Sequence, residues 1–151
     1  MRRAVLTGAA AALTAAVAGC GGSGSDRLSV SQYKTQAERI CTDSARQTNA
    51  LGRPKTTSQF KTFLTKGIRV TERNLRRFAA LRPPDNLQSR HQAILAAERR
   101  GLVQLRRVSV KLHGDSRDVA LLRRVQPELS RISADTSARY RAAGLTACTR
   151  A

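Results

Sequence analysis

Apolar residues recur at steps of three and four along four stretches of this chain, and no strand pair is visible. The first stretch opens at Ser29 with Gln32 three residues on, an S-x-x-Q capping box. Val30, Tyr33, Ala37, Ile40, Cys41, Ser44, Thr48 and Leu51 share one face of the helix this predicts, and Gly52 and Pro54 stop it. The second opens at Thr56 with Gln59, again a capping box, and its stripe is Phe60, Phe63, Leu64, Ile68, Leu75, Phe78 and Leu81. All three phenylalanines lie here, so this helix is expected to anchor the core. Gly67, on the same side, is expected to permit close packing at a propensity cost of about 1 kcal/mol.

Pro83 and Pro84 end the second stretch, because the residue before a proline is pushed out of the helical region. Asp85 is the expected cap of the third, with Gln88 following and a stripe of Leu87, His91, Ile94, Leu95, Leu102, Leu105 and Leu112. Glu98 falls on that stripe too, and Gly114 closes it. The fourth starts at Asp115 or Ser116 and places Val119, Leu122, Val125, Leu129, Ile132, Thr136 and Tyr140 on one face. Pro127 inside it predicts a kink or a break, and Gly144 ends it. Short loops between helices of similar length imply antiparallel neighbours. The expected fold is all-α, an up-down-up-down four-helix bundle, with a three-helix bundle as the alternative should the first helix fray.

Residues 1–19 do not belong to that pattern. Arg2 and Arg3 precede an uncharged run over residues 4–19. The run falls short of the about 20 apolar residues a spanning helix needs, and its small-residue end describes a secretory signal peptide. Val17, Ala18, Gly19 and Cys20 resemble a bacterial lipobox. The resemblance implies a diacylglycerol on the Cys20 sulfur, cleavage before it, and a mature protein held on the outer face of the cell membrane. Ala16-Val17-Ala18 also fits the rule for ordinary signal cleavage, which would leave Gly19 first and Cys20 as a free thiol. The expected organisation is a signal peptide over 1–19, lipidated Cys20 with a Gly/Ser tether over 20–28, and a helical domain over 29–151.

Three cysteines in an exported chain leave one over. Lipidation of Cys20 accounts for it, and Cys41 and Cys148 can then oxidise to each other outside the cytoplasm. There is no C-x-x-C, and His91 and His113 have no ligand spacing to either cysteine, which disfavours metal and redox sites. Cys41 sits about twelve residues, or roughly 18 Å, into the first helix. To reach it, the chain after Gly144 must fold back along that helix.

Composition adds charge. The chain carries +18, and +16 once Arg2 and Arg3 leave with the leader. Such a surface attracts anionic lipid head groups or wall polymers. The charges spread over all four helices without an aromatic stacking set, so nucleic acid is not an expected partner. Aromatics are 3% and tryptophan is absent, which favours an aliphatic helical core.

Beyond the leader, the chain resembles small helical lipoproteins from actinobacteria in "QAERIC" on the first helix, "LRRFAALRPP" closing the second, and a cysteine after a final "AAGL". That resemblance implies an all-helical, disulfide-closed, anchored domain and no particular activity.

His91 and Glu98, seven apart on one face, are the one pair that could move a proton. Such a pair is far more often a half-buried contact. No Ser-His-Asp order, phosphate loop or zinc spacing is present, so no catalytic residue, metal ligand or cofactor is assigned. The expected function is a non-enzymatic, anchored interaction or ligand-binding module, with a polyanion-binding envelope protein as the alternative. An apolar pocket with convergent polar groups would favour an enzyme instead.

Overall fold

A computed structural model describes residues 27–149. Its elements are α1 (Val30–Asn49), α2 (Thr57–Ala79), α3 (Asp85–Lys111), α4 (Asp118–Ala142) and a terminal 3-10 turn, Thr146–Thr149. Among the described residues there is no strand, and the fold is a four-helix bundle. None of these helices is long and apolar enough to cross a membrane. The expected leader, Cys20 and the Gly/Ser tract up to residue 26 lie outside the described residues.

The starts of the helices test local sequence rules one by one. Ser29 caps α1 as expected: its hydroxyl accepts from the Gln32 amide at 3.2 Å, and the Gln32 side chain accepts from the Ser29 amide at 2.9 Å. Thr56 caps α2 through the Gln59 amide at 3.2 Å, but the Gln59 side chain reaches the Lys55 amide at 2.8 Å, so only half of the box forms.

Asp85 does not cap α3. Pro84 takes that position in extended conformation, and Asp85 becomes the first helical residue. There its negative charge faces the helix's positive end and lies 3.1 Å from the Arg27 guanidinium. Neither Asp115 nor Ser116 starts α4, which begins at Asp118. Asp115 instead holds the turn, accepting from the Arg117 amide at 3.0 Å and from its guanidinium at 2.6 Å.

Nor does Pro127 break the fourth helix: α4 runs through it as one element. The proline is exposed, and the carbonyl that loses its donor belongs to Arg123, an exposed residue within reach of water. The described edge of the bundle also begins earlier than expected. Leu28 donates its amide to the Arg82 carbonyl at 2.8 Å, and Arg27 reaches the Pro83 carbonyl at 3.2 Å, so the end of the expected tether is fastened to the α2–α3 loop.

Consecutive helices pack on one another, and the 3-10 turn joins α4 back to α1. Gly144 makes that return. At φ +71 it adopts the left-handed backbone that a side chain disfavours. The Leu145 amide then bonds the Tyr140 carbonyl at 3.0 Å, and the Gly144 amide bonds the Arg141 carbonyl at 2.9 Å. These two bonds are a Schellman cap. Leu145 follows and is fully buried. The Glu38 carboxylate accepts from Thr146 and from the Ala147 amide, and Cys148 bonds to Cys41 with their Cα atoms 5.0 Å apart. The fold-back along α1 is as expected.

The core has two parts. One surrounds the disulfide, where Phe78 stacks on His91 at 5.1 Å and meets the edges of Tyr33 and Tyr140 at 6.4 and 6.0 Å. The other joins Leu64 and Ile68 of α2 to Leu102, Val108 and Leu112 at the far end of α3. Of the three phenylalanines only Phe78 is fully in the core; Phe60 and Phe63 are half-buried. Gly67 does not serve close packing, since a Cβ there would meet nothing within 4 Å. Most of the α4 stripe is also less buried than expected. Val119 is 41% exposed, Leu122, Val125, Leu129 and Ile132 are half-buried, and Tyr140 alone of that face is buried.

Candidate functional site: the Glu98 cleft

Between the two core parts the bundle does not close on apolar side chains. A cleft of about 280 Å³ lies between α3 and α4, with Thr71 of α2 at its back. Its apolar wall is Leu102, Leu105, Leu129 and Ile132, and its polar groups are Glu98, Ser133, Thr136, Ser137 and Tyr140. A smaller space of about 90 Å³ adjoins it, reaching Ser44 of α1 and Asn74 of α2. The two share Thr71, Glu98, Tyr140 and Cys148, so Glu98 and Tyr140 stand at the junction.

Helix geometry brings these residues together. Glu98 lies four residues from Ile94 and four from Leu102, which places it on the buried face of α3. Tyr140 ends the same face of α4, and the Schellman cap at Gly144 fixes the backbone just beyond it. Gly101 lines the cleft as well. A Cβ there would come within 3.3 Å of the Ile132 side chain, so the missing side chain sets how near α3 and α4 approach.

The Tyr140 hydroxyl donates to Glu98 Oε1 at 2.8 Å. Among the described residues this is the one hydrogen bond the Glu98 side chain makes, and it has no ion pair. Burial raises the Glu98 carboxyl above its ordinary range, and the Tyr140 hydrogen bond offsets part of that rise. Burial and the neighbouring carboxylate together push the Tyr140 phenol far up, so it stays a donor.

Other acids of this arginine-rich chain behave differently. Asp43, Glu72, Asp85, Asp115, Glu128 and Asp135 each lie 2.6–3.1 Å from an arginine. The side chains of Glu38 and Asp118 bond backbone amides.

His91 is not part of this site. It is 1% exposed, stacked on Phe78, and its Nδ1 lies 3.1 Å from the Tyr33 hydroxyl. Burial lowers its pKa and so favours the neutral ring, and burial pushes the Tyr33 phenol up to about 12. Among the described residues no hydrogen bond links His91 to Glu98, so the pair is not the half-buried contact its spacing suggests: each group bonds a separate tyrosine. His113 is exposed, and its backbone amide binds Asp118. Among the described residues no group of three potential ligands could hold a metal ion. Cys41 and Cys148 form the disulfide that borders the cleft, whereas Cys20 lies outside the described residues.

Sequence reasoning singled out Glu98 and placed Tyr140 on the fourth stripe, but missed their pairing and Thr71 at the back of the cleft. The available signal was a carboxylate on an apolar stripe, which asks what meets it from the facing helix. Comparison with family models, with curated proteins and with solved structures finds no match to this chain.

Proposed function

We propose that this protein is an exported, lipid-anchored, non-enzymatic binding module whose bundle holds a small ligand in the Glu98 cleft. The observation that carries the reading is a cleft between α3 and α4 with an apolar wall and a half-buried carboxyl that has no charged partner among the described residues. Convergent polar groups in such a cleft also fit an enzyme, but the groups present do not form a relay. The cleft has no histidine, and the carboxyl's bonded neighbour is a phenol held far above its ordinary pKa. Holding a ligand is what this arrangement does.

The lipobox-like V-A-G-C at residues 17–20 supports the address: several acyl chains on Cys20 would hold the domain at the membrane surface. Intact mass of the protein from its native host tests it. Acyl mass on a chain beginning at Cys20 supports anchoring, and an unacylated chain beginning at Gly19 contradicts it. Crystals soaked in mixed small organic probes test the cleft. Probe density at Glu98 supports the reading, and density confined to the outer surface contradicts it.

Polyanion binding is the second reading. Its support is an outer groove of about 580 Å³ containing Arg99, Arg100, Arg107 and Arg131. Glu128 and Asp135 stand in the same groove and already pair with Arg131 and Arg100. That neutralisation makes it the weaker of the two. Retention on anionic vesicles that is unaffected by salt would count against it.

A further inference from the structure

We propose that the cleft takes a small organic cation, an ammonium group on a short apolar chain, with its nitrogen at Glu98 and its carbons along Leu102, Leu105, Leu129 and Ile132. This rests on the reading of the cleft as a ligand site and names the class of ligand.

The argument begins with charge. The chain has 28 lysines and arginines, yet none lies within ion-pair distance of Glu98 among the described residues. Arg100 and Arg139, near Glu98 and Tyr140 in sequence, both bind Asp135, at 2.9 and 3.0 Å. Even partial removal of a carboxylate from water without a cation carries a cost, and a cation brought to it offsets that cost. The protein's own side chains do not supply one here, and a ligand can. Desolvation of Glu98 is consistent with this, because a neighbouring positive charge would have held its carboxyl down.

Shape and polarity give the rest. A cleft of about 280 Å³ suits a small ligand. An ammonium donates three hydrogen bonds. Glu98 can accept one, and the hydroxyls of Thr71, Thr136 and Ser137 line the same cleft. The aliphatic wall suits a chain of carbons rather than a second charged group. The net positive charge of the domain does not forbid entry, since exposed charges beyond about 8 Å are screened at physiological salt.

The test compares three six-carbon probes, hexylammonium, hexanol and hexanoate, added to the ¹⁵N-labelled full chain and followed by amide NMR. The proposal expects hexylammonium to shift resonances around Thr71, Glu98 and Tyr140 and to bind at least tenfold more tightly than hexanol. It expects Glu98→Gln to abolish that preference while the spectrum remains that of the folded bundle. If hexanol or hexanoate binds as well as hexylammonium, the cation assignment is overturned and the ligand cleft survives. If none of the three moves these resonances, the cleft reading fails with it. If Glu98→Gln unfolds the chain, Glu98→Asp decides: retreat of the carboxylate should weaken hexylammonium more than hexanol, and equal weakening overturns the proposal.

Discussion

Tyr140 donates a 2.8 Å hydrogen bond to Glu98, tying the end of α4 to the middle of α3 across 42 positions of sequence. Replacing Tyr140 with Phe keeps the ring against Phe78 and removes the donor. An intramolecular hydrogen bond contributes about 0.5–1.5 kcal/mol net, and the half-buried acceptor faces the open cleft, so urea unfolding of Tyr140→Phe should show a loss in that range. The Glu98 carboxyl should also titrate higher still, because the bond that favoured its charged form is gone.

The opposite result is expected at Glu98 itself. Glu98→Gln keeps an acceptor for Tyr140 and removes a charge that burial disfavours. At neutral pH the variant should be as stable as the parent or more so, measured by the urea midpoint. A residue kept for the fold would lose stability on this change.

Glu98 and Asp118 pull the pH dependence of stability in opposite directions. Burial raises the folded pKa of Glu98 above its ordinary 4.5. Its contribution is therefore fully present below the unfolded value and is lost as pH rises through the folded one. For Asp118 the bond from the His113 amide, with help from Gly114, lowers the folded pKa below the ordinary 3.8. Its contribution is present above the unfolded value and is lost as pH falls through the folded one. In a stability profile against pH, Glu98→Gln should flatten the decline above about 4.5, and Asp118→Asn should flatten the decline on the acid side.

The disulfide closes nearly the whole described chain, its cysteines 107 positions apart. In the chain-entropy model a loop of about 100 residues corresponds to roughly 4.7 kcal/mol, and measured losses on removal run about 2–5 kcal/mol. Cys41→Ser with Cys148→Ser should lower unfolding free energy within that range. It should also loosen the turn at Thr146–Thr149, seen as faster amide exchange at positions 147 and 148.

Two helical glycines should respond differently to alanine. At Gly67 a Cβ meets nothing, so Gly67→Ala should stabilise the protein by about 0.5–1 kcal/mol through backbone entropy alone. At Gly101 the same Cβ would press on Ile132 at 3.3 Å. Gly101→Ala should therefore gain less than Gly67→Ala in the same urea experiment, or lose stability.

The helices were legible because their signals are local. Ser29 with Gln32, and the glycines at 52, 114 and 144, act within a few residues. The disulfide followed from counting cysteines, and the fold-back at Gly144 followed from the bridge. Asp85 misled because Pro84, which has no amide hydrogen to satisfy, already fills the cap position. Asp118 was overlooked because its carboxylate reaches backwards to amides in the preceding loop, where a side-chain pattern has no period. The buried tail residues Ala143 and Leu145 were missed for the same reason. The α4 stripe was over-read, since periodicity locates an apolar face without saying how much of it a neighbour covers. Glu98 stood out as a carboxylate on an apolar face. Its partner, and the space beside it, arise from contact between helices and are not written in either helix alone.

The most direct measurement is a carbon-13 titration of the Glu98 carboxyl in the full chain, with and without hexylammonium. The expected result is a pKa above the ordinary 4.5 in the free protein that falls when hexylammonium is added. A pKa at the ordinary value, unmoved by hexylammonium, would contradict a desolvated carboxyl waiting for a cation.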